Sequence, residues 1–340
     1  MKAGYVALIG RPNVGKSTLL NTLLGQKVAI ISDKPQTTRV SILGVKTTPA
    51  GQIIFIDNPG IHKPLHTLNR RMMNFVYSAL ETADLLCLLI DATEKYGHGD
   101  EFVVETLRKV ATPLFLLINK VDIIKKEKVL LIIDHYKDLL PFREIIPISA
   151  LKGTNLDILE EQIYGVLPEA EKPYADEMIT DQTLRFQLAE IIREKLLRRV
   201  EEELPFVTAV LIDSMEERKD IGSREKEEEK SPETGILVVD KNRPALKSLS
   251  PSRKHEPGKP KEKKQRTKVT YISASIFVER DSHRGIVIGR QGRVIKEIGI
   301  EARREIEGIL DSKIYLDLKV KVRKKWRDSA DVLDLIEGQK

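Results

Sequence analysis

An octapeptide close to the amino terminus restricts the fold of this chain more than any other feature. Residues 10–17 read GRPNVGKS, with Gly10 and Gly15 separated by four residues and followed by Lys16 and Ser17. In a loop of this kind the glycines let backbone N–H groups turn toward phosphates, and the helix that follows directs its positive N-terminal end at them. Lys16 would reach the β- and γ-phosphate oxygens, and Ser17 would bind Mg²⁺. A glycine-rich turn without a ligand is the alternative.

The segments around this loop predict an α/β domain. Nearly continuous apolar runs alternate with amphipathic stretches, as in YVALIG, QIIFIDNPG, ADLLCLLIDA, TPLFLLINKVD and EIIPISA. Such runs are typical of strands in a mainly parallel sheet that is covered by helices on both faces. We therefore predict a P-loop NTPase domain over residues 1–170. Prolines and acidic residues without helical spacing follow, and they predict a linker over residues 171–180.

Two later segments bear on the base, which the phosphate loop leaves open between ATP and GTP. At the end of an apolar run, Asp122 can accept hydrogen bonds from N1–H and the exocyclic N2 of guanine, whereas adenine offers no matching pair of donors. Asn119 would support the N7 side of the base and bind neighbouring loops, and the Lys120 stem would cover one face of the ring. A backbone N–H after the next strand can donate to guanine O6 from the loop of Ser149, Ala150 and Leu151. Either segment alone also fits a surface turn, but in this order they predict GTP.

The motif Asp-Asn-Pro-Gly at residues 57–60 and the two threonines of KPQTTR predict a nucleotide-dependent switch. Asp57 would hold Mg²⁺ through water, and the Gly60 N–H would contact the γ-phosphate. Of the two threonines we favour Thr38 as a metal ligand, so the predicted metal set is Ser17, Thr38 and Asp57. Loss of the γ-phosphate would release the contacts of Thr38 and Gly60. The two loops that carry these residues should therefore differ in how ordered they are between the two nucleotide states.

Hydrolysis is predicted to be slow because Ile61 follows the switch glycine. In the Ras-type mechanism a glutamine at that position orients the attacking water, which an isoleucine cannot do. A backbone group, an ion or a partner would have to complete the site. His62 and His66 are interpreted as solvated loop residues, with a catalytic base as the alternative for either.

The predicted nucleotide site combines the phosphate loop, the switch motif and the two base-binding segments. Its members are Gly10, Arg11, Pro12, Asn13, Val14, Gly15, Lys16, Ser17, Thr18, Asp57, Asn58, Pro59, Gly60, Asn119, Lys120, Asp122, Ser149, Ala150 and Leu151. From the reasoning above, Lys16, Thr38 and Gly60 are candidate catalytic residues.

Composition excludes several classes of protein. Cys87 is the only cysteine among 340 residues, which excludes an internal disulfide and a cysteine-based zinc site and fits a reducing cytoplasm. Charges interrupt the apolar runs well before the roughly 20 residues that a membrane-spanning helix needs. The first residues lead into the phosphate loop without the small-residue cleavage site of a signal peptide. We expect a cytoplasmic protein.

The second half of the chain predicts an α+β domain in the order α-β-β-α-α-β over residues 181–327, with a tail over 328–340. A helix is expected over residues 183–204, where apolar residues return at intervals of three and four. Residues 216–268 are rich in Lys, Glu, Pro and Ser and are predicted to be a largely disordered insertion. The net charge of +6 reflects basic clusters at residues 241–268 and 319–327. Such clusters attract polyanions, although a solvated surface is the alternative for each.

A second glycine motif, GRQG at residues 289–292, lies between two helical patterns. Two glycines there allow a sugar–phosphate backbone to approach the helix ends, and Ile286, Val287 and Ile288 can line an apolar groove for unstacked bases. The KH fold binds nucleic acid in this way and clamps four nucleotides of a single strand. A helix cap is the alternative explanation for the two glycines. The predicted RNA contacts are Arg284, Ile286, Ile288, Gly289, Arg290, Gln291, Gly292, Arg293, Lys296, Lys324, Lys325 and Trp326. Trp326 would stack on a base or pack against its own domain.

With both halves in view, the chain resembles the bacterial Era family of ribosome-assembly GTPases. GRPNVGKS, KPQTTR, NKVD and ISAL in the first half, and GRQG, IGIEAR, YLDL and VKVRKKWR in the second, carry the resemblance, which covers nearly everything except the insertion. It implies a TRAFAC-class G domain followed by a type II KH domain. It also implies binding to 16S ribosomal RNA near its 3′ end, a role in maturation of the 30S subunit, and peripheral association with the inner membrane.

The resemblance also bears on hydrolysis. The hydrophobic Ile61 is similar to relatives that use potassium, which would make Asn13 a K⁺ ligand and a further catalytic candidate. Two features depart from the family. Asn58 stands where Thr is usual and should perturb the switch loop only mildly, and the insertion replaces a much shorter connection. Its basic half would either extend the RNA footprint or remain a solvated loop.

Three functional hypotheses follow. The leading one is a monomeric GTP-hydrolysing switch whose KH domain holds ribosomal RNA. A constitutive RNA-binding scaffold, in which the nucleotide is mainly structural, is the second. An ATPase acting on RNA is the third.

Overall fold

The computed structural model describes residues 1–219 and 268–340. In the amino-terminal domain, a six-stranded sheet has the order β2-β3-β1-β4-β5-β6, and only β2 runs antiparallel to its neighbour. The mainly parallel sheet predicted from the sequence is confirmed. Its strands are β1 (Lys2–Gly10), β2 (Ile42–Thr48), β3 (Gly51–Asp57), β4 (Leu85–Asp91), β5 (Leu114–Asn119) and β6 (Phe142–Pro147).

Helices cover both faces of this sheet because the side chains of each strand alternate between two cores. Val6 and Leu8 of β1 join one core, while Ala7 and Ile9 join the other. The first core also contains α1 and α5, and the second contains α2, α3 and α4. The helices are α1 (Lys16–Leu24), α2 (Thr67–Thr82), α3 (His98–Leu107), α4 (Lys126–Tyr136) and α5 (Leu156–Val166).

The predicted linker lies along the edge of the sheet. The Val45 N–H donates to the Ile179 carbonyl at 2.8 Å, and the Gln52 side chain bonds both the N–H and the carbonyl of Tyr174 at 3.0 Å. Residues 174–179 therefore occupy hydrogen-bonding groups of β2 and β3.

The carboxy-terminal domain contains a three-stranded sheet in the order β7-β8-β9, with β7 antiparallel and β9 parallel to β8. Apolar residues of α6, α8 and α9 pack against one face of this sheet. Its elements are α6 (Leu184–Leu197), α7 (Leu204–Val207), β7 (Ala209–Lys219), β8 (Lys268–Val278), α8 (Asp281–Ile288), α9 (Arg293–Leu310), β9 (Lys313–Val322) and α10 (Ala330–Glu337).

Three expectations need correction. The helix predicted to continue to residue 204 ends at Leu197 and is followed by a turn; further on, Glu202 has a φ of 53°, which no α-helix contains. The two ends of the insertion predicted over residues 216–268 are strands: residues 216–219 continue β7 and pair with β8, which begins at Lys268. Residues 220–267 lie outside the described residues. The segment predicted only as a tail contains α10, whose Val332 and Leu333 are buried against Trp326 and Phe277.

The two domains meet along α2 and the segment that precedes β2. Leu68 and Met72 of α2 share an apolar cluster with Leu211, Phe277 and Trp326 of the second domain. Within the described part of the chain, no helix has the length and low charge that crossing a membrane requires.

Candidate functional site

The loop between β1 and α1 has the backbone geometry that its glycines predict. Gly10 and Gly15 have φ values of 142° and 101°, and Asn13 between them has a φ of 65°. A Cβ at Gly10 would lie 2.3 Å from the Leu89 carbonyl oxygen, and one at Gly15 would lie 2.3 Å from the Asn119 side chain. These two positions therefore exclude any other residue without a shift of the surrounding backbone or side chains.

A cavity of about 430 Å³ opens above this loop, which is within the range of small-ligand sites. Its opposite wall is formed by residues 30–38, here called the switch segment. Of the predicted site residues, the cavity brings together Pro12, Asn13, Gly15, Lys16, Ser17, Thr18, Thr38, Gly60 and Lys120.

Lys16 is buried at the base of the cavity. Its ammonium donates to the carbonyls of Arg11 at 2.8 Å and Gly10 at 3.3 Å. Burial lowers the pKa of Lys16 to about 8, and attraction from Asp57 offsets part of this decrease. A phosphate beside this group would favour its charged form, because an opposite charge raises the pKa of an amine.

Three oxygen-bearing side chains meet beside Lys16. The Ser17 hydroxyl lies 2.6 Å from the Asp57 carboxylate and 3.0 Å from the Thr38 hydroxyl, which is 3.4 Å from the same carboxylate. The second Asp57 oxygen is buried without a partner among the described residues, and burial raises the pKa of Asp57 to about 6. A divalent cation would relieve this buried charge.

This donor set fits Mg²⁺. Mg²⁺ prefers oxygen ligands and is usually held by one or two carboxylates together with substrate phosphates. In the described residues there is no group of three His, Cys, Asp or Glu side chains that could bind a metal without such a ligand. Thr38, rather than Thr37, contributes the hydroxyl, because Thr37 donates its own to the Lys34 carbonyl.

The switch glycine packs tightly against the phosphate loop. A Cβ at Gly60 would lie 2.4 Å from the Pro12 nitrogen, so no side chain fits there. The following Ile61 donates its N–H to the Gly10 carbonyl at 2.9 Å, and its side chain is buried in the core with Met73. Ile61 therefore contributes no polar group to the cavity.

His62 is not the solvated residue that the sequence suggested. Its Nδ1 donates to the Gly60 carbonyl at 2.6 Å, and its Nε2 accepts from the Asn69 amide at 2.7 Å. Because both ring nitrogens are engaged, His62 orients the switch backbone in this conformation and has no nitrogen free to act as a base.

The side chains of Arg11 and Asn58, both predicted at the nucleotide site, are directed away from the cavity, so only their backbones are placed to contribute there. The Arg11 guanidinium binds Asp100 at 2.9 Å and Glu94 at 3.1 Å. Asn58 is fully buried, and its side chain accepts from the Ser41 hydroxyl at 2.7 Å and donates to the Ile56 carbonyl at 3.2 Å. The sequence identified Asn58 only as a spacer and missed its bond to Ser41.

The predicted base-binding loops are joined by Asn119. Its amide nitrogen donates to the Val14 carbonyl at 2.8 Å, and its oxygen accepts from the Ala150 N–H at 2.9 Å. Lys120 has a φ of 66° and reaches the Asn13 carbonyl at 3.2 Å. Asp122 is exposed in the next turn. Asp122 and the 149–151 loop flank the cavity without lining it.

The second glycine motif forms a tight turn between α8 and α9. Gly289 has a φ of 73°, and a Cβ there would lie 2.5 Å from the Val294 side chain. Gln291 and Gly292 also have positive φ values, 53° and 75°. This turn allows close approach of another backbone at the start of α9.

The side chains around this turn are distributed unequally. Ile286 is 53% exposed, and the predicted contacts Arg290, Gln291, Arg293 and Lys296 are exposed, while Arg284 and Ile288 are half-buried. Val287 was expected to line the groove but belongs to the domain core, since helical geometry turns it to the opposite side of α8. Lys324 and Lys325 are exposed after β9.

Of the two alternatives stated for Trp326, stacking on an RNA base or packing against its own domain, the structure shows packing. The Trp326 side chain is completely buried, and its indole N–H donates to the Val207 carbonyl at 2.8 Å. The Arg39 guanidinium lies 5.6 Å from the centre of its ring. Trp326 is therefore part of the contact between the two domains.

Sequence reasoning missed Arg39, which follows the switch threonines. It is buried, and its guanidinium donates to the carbonyls of Thr208 and Pro205 at 2.6 and 2.8 Å. The available signal was a basic residue directly after the switch, but its partners lie more than 160 residues away.

Comparison with known proteins matches both halves. A family model described as 50S ribosome-binding GTPase matches residues 5–120, and a KH domain model matches residues 259–327. The GTPase Era of Heliobacterium modesticaldum (strain ATCC 51547 / Ice1) is 41% identical over 333 residues, which are 98% of this chain and 96% of that protein.

Two solved structures match nearly the whole chain. Era in complex with MgGDPNP and nucleotides 1506–1542 of 16S ribosomal RNA is 39% identical, with a TM-score of 0.81 and coverage of 99% of this chain and 98% of that one. An Era variant of Aquifex aeolicus bound to GDP and AlF4⁻ is 38% identical, with a TM-score of 0.79 and coverage of 99% of both chains.

Proposed function

Because this chain belongs to the Era family of GTPases, we propose that it binds GTP with Mg²⁺ in the amino-terminal cavity, hydrolyses it slowly, and binds 16S ribosomal RNA near its 3′ end through the GxxG turn. The observation that carries this proposal is the meeting of Ser17, Thr38 and Asp57 beside Lys16. That arrangement is present in a chain that also carries the KH turn. We propose that the protein acts in maturation of the 30S subunit.

The cavity residues divide the work of phosphoryl transfer among them. Backbone N–H groups of the phosphate loop and the Lys16 ammonium stabilise charge on the phosphates, which is the main task of a protein in this reaction. Ser17 and Thr38 would hold Mg²⁺ directly and Asp57 through water, and the ion would neutralise charge on the β- and γ-phosphate oxygens. The Gly60 N–H would donate a hydrogen bond to the γ-phosphate and would lose this bond after hydrolysis.

A slow intrinsic rate is expected because no side chain of the switch motif can orient water. Ile61 is buried in the core, and both nitrogens of His62 are engaged. Asn13 is exposed at the mouth of the cavity and contacts the Asp33 carbonyl. We propose that its side-chain oxygen holds a K⁺ ion next to the phosphates, which would add positive charge to that of Lys16 and Mg²⁺.

The RNA site follows from the exposed groups around the GxxG turn. Arg290, Arg293 and Lys296 can meet phosphates, and the exposed Ile286 can contact an unstacked base. The relative solved with 16S ribosomal RNA nucleotides supports the choice of 16S RNA as the ligand. We expect a cytoplasmic monomer that associates peripherally with the inner membrane, which sedimentation and cell fractionation would test.

RNA affinity in two nucleotide states tests the proposal. The full-length protein should bind an RNA of the 16S 3′ end, and small subunits, with different affinities in GDP and in a non-hydrolysable GTP analogue. Identical affinities would instead support a constitutive RNA-binding scaffold whose nucleotide is mainly structural. Failure to bind guanine nucleotides would exclude both interpretations.

A further inference from the structure

We propose that Arg193 and Glu194, adjacent residues of α6, are positioning residues that hold the two ends of the switch segment over the nucleotide cavity. Through these contacts the RNA-binding domain would determine how firmly the Thr38 hydroxyl is positioned, and with it the rate of GTP hydrolysis. This inference rests on the proposed function and adds the residues through which the two domains act on each other.

Glu194 holds the amino-terminal end of the switch segment. Its carboxylate is 1% exposed and accepts a hydrogen bond from the Ile31 N–H at 3.2 Å. Lys27 and Lys195 each place an ammonium 2.7 Å from the same carboxylate. The paired charges offset the desolvation of Glu194 and keep it ionised, so it remains a strong acceptor for the switch backbone.

Arg193 holds the carboxy-terminal end. Its guanidinium is 2% exposed, pairs with Glu190 at 2.6 and 2.7 Å, and donates to the Thr37 carbonyl. Thr38 follows directly and places its hydroxyl against Ser17. Fixing the Thr37 peptide therefore restricts the directions in which the Thr38 hydroxyl can point.

Packing between the two domains does not by itself account for the buried charged side chains in these contacts. One terminal nitrogen of Arg193 is buried without a partner among the described residues, and an unsatisfied buried polar group destabilises the folded state. Apolar side chains would fill the same contact without that cost. Arg39 extends the contact from the first domain, with its guanidinium bound to two carbonyls of the second.

α6 and the turn that follows it also contact α9, the helix that begins at the GxxG turn: the ammonium of Lys195, next to Glu194, binds Glu305 of α9. Arg199, two residues after the end of α6, binds Glu301 at 3.0 Å and Glu297 at 3.4 Å, and Glu297 also binds Arg293 at 2.9 Å. Arg293 is one of the proposed phosphate contacts. One helix thus contacts both the switch segment and the helix that carries the RNA site.

Substitution of Arg193 in the full-length protein tests this inference. Arg193→Met keeps the length of the side chain but removes the donor to Thr37, and Arg193→Lys keeps one donor and the charge. Arg185→Met makes the same chemical change at an exposed position of α6. Steady-state GTP hydrolysis, RNA affinity in both nucleotide states, and amide hydrogen exchange of residues 30–38 are measured for each.

The expected result is a selective loss. In Arg193→Met, kcat for GTP should fall about tenfold with KM changed less than about twofold, because the hydrogen bond that holds the Thr37 peptide and so positions the Thr38 hydroxyl is lost. The difference in RNA affinity between the two nucleotide states should shrink, and exchange of residues 30–38 should accelerate. Arg193→Lys should recover part of kcat, and Arg185→Met should behave as the unsubstituted protein.

Unchanged kcat and unchanged exchange in Arg193→Met would overturn the inference while leaving the proposed function intact. Failure of the unsubstituted protein to hydrolyse GTP would instead reject the proposed function. If Arg193→Met does not fold, the isosteric Glu194→Gln decides, because it removes the charge that strengthens the bond to Ile31. Exchange of the switch segment that stays as slow as in the unsubstituted protein would then count against the inference.

Discussion

The hydroxyl of Ser17 donates a 2.6 Å hydrogen bond to the carboxylate of Asp57, although the two residues are 40 positions apart. Ser17 lies in the first turn of α1, after β1, and Asp57 is the last residue of β3. Parallel strands β1 and β3 end at the same edge of the sheet, and this brings the two residues together. A metal bound between them would link the phosphate loop to the switch motif.

Magnesium binding should therefore depend on the ionisation of Asp57. Because burial raises the pKa of Asp57 from 3.8 to about 6, the protonated form, which does not bind Mg²⁺, predominates in the folded protein below about pH 6. Mg²⁺ affinity in the GDP complex should be constant above pH 7 and should fall about tenfold per pH unit below about 6. Titration of Mg²⁺ with a fluorescent GDP analogue measures this.

The metal-free protein should show the opposite trend. A carboxyl whose folded pKa is raised binds more protons in the folded state, so Asp57 should add stability as the pH falls from about 6 toward 4. Asp57→Asn should remove this contribution and abolish tight Mg²⁺ binding. A pH-independent Mg²⁺ affinity would mean that Asp57 does not serve the metal.

Base selectivity should depend on Asp122. Asp122→Asn should weaken GTP binding roughly 100-fold and favour xanthosine triphosphate, since hydrogen bonds to a charged group contribute about 1.5–3 kcal/mol. Asp138→Asn, at another exposed position, is the matched control. Competition binding with GTP, XTP and ATP checks this. Unaltered nucleotide choice in Asp122→Asn would support the ATPase hypothesis.

The two binding sites should be separable by substitution. Gly289→Asp combined with Gly292→Asp should abolish RNA binding and leave GTP binding intact, because side chains and negative charge would occupy the approach of the phosphates. Lys16→Ala should do the reverse. Gly308→Asp adds the same charge to α9 where a Cβ meets open space, and it should retain RNA affinity. Retained binding in the double variant would rule out the proposed groove.

Trp326 should matter for stability rather than for direct RNA contact. Trp326→Ala should lower the free energy of unfolding by about 3–5 kcal/mol, as expected for a fully buried aromatic residue. Trp326→Phe should cost about 1 kcal/mol for the lost hydrogen bond to Val207 and should not change RNA affinity. Denaturant unfolding and RNA titration of the Phe variant distinguish packing from stacking.

Monovalent ions should affect hydrolysis if Asn13 holds K⁺. Replacing K⁺ by Na⁺ should lower kcat in the unsubstituted protein, and Asn13→Ala should be slow in either ion. Single-turnover hydrolysis in matched chloride salts measures the effect. An equal rate in both salts would remove the role proposed for Asn13.

Sequence reasoning predicted the features that depend on short segments. The phosphate loop, the GxxG turn and the parallel strands depend on neighbouring residues or on continuous apolar runs, and the Era-family resemblance derived from them is confirmed. Strand β2 was missed because Gly44 and Lys46 interrupt its apolar run. Its pairing with β3 is a tertiary contact.

Features that depend on the approach of the two domains could not be predicted from local patterns. Trp326 lies among basic residues, and local sequence left stacking on a base and packing open; α10 and Arg39 are among the groups that bury it. Nothing in the sequence marks the charged residues Arg39, Arg193 and Glu194 as buried, since charged side chains are usually exposed. Only their partners, which lie more than 150 positions away, show that they are buried.

The course of residues 174–179 along β2 and β3 has a practical consequence for dissecting the protein. A fragment that stops at residue 170 would leave two groups without partners. The backbone N–H of Val45, on the outer edge of β2, would lose Ile179, and the side-chain amide of Gln52 would lose Tyr174. Bare strand edges recruit strands from other molecules. Such a truncated domain should self-associate on storage, whereas one that ends after residue 182 should stay dispersed.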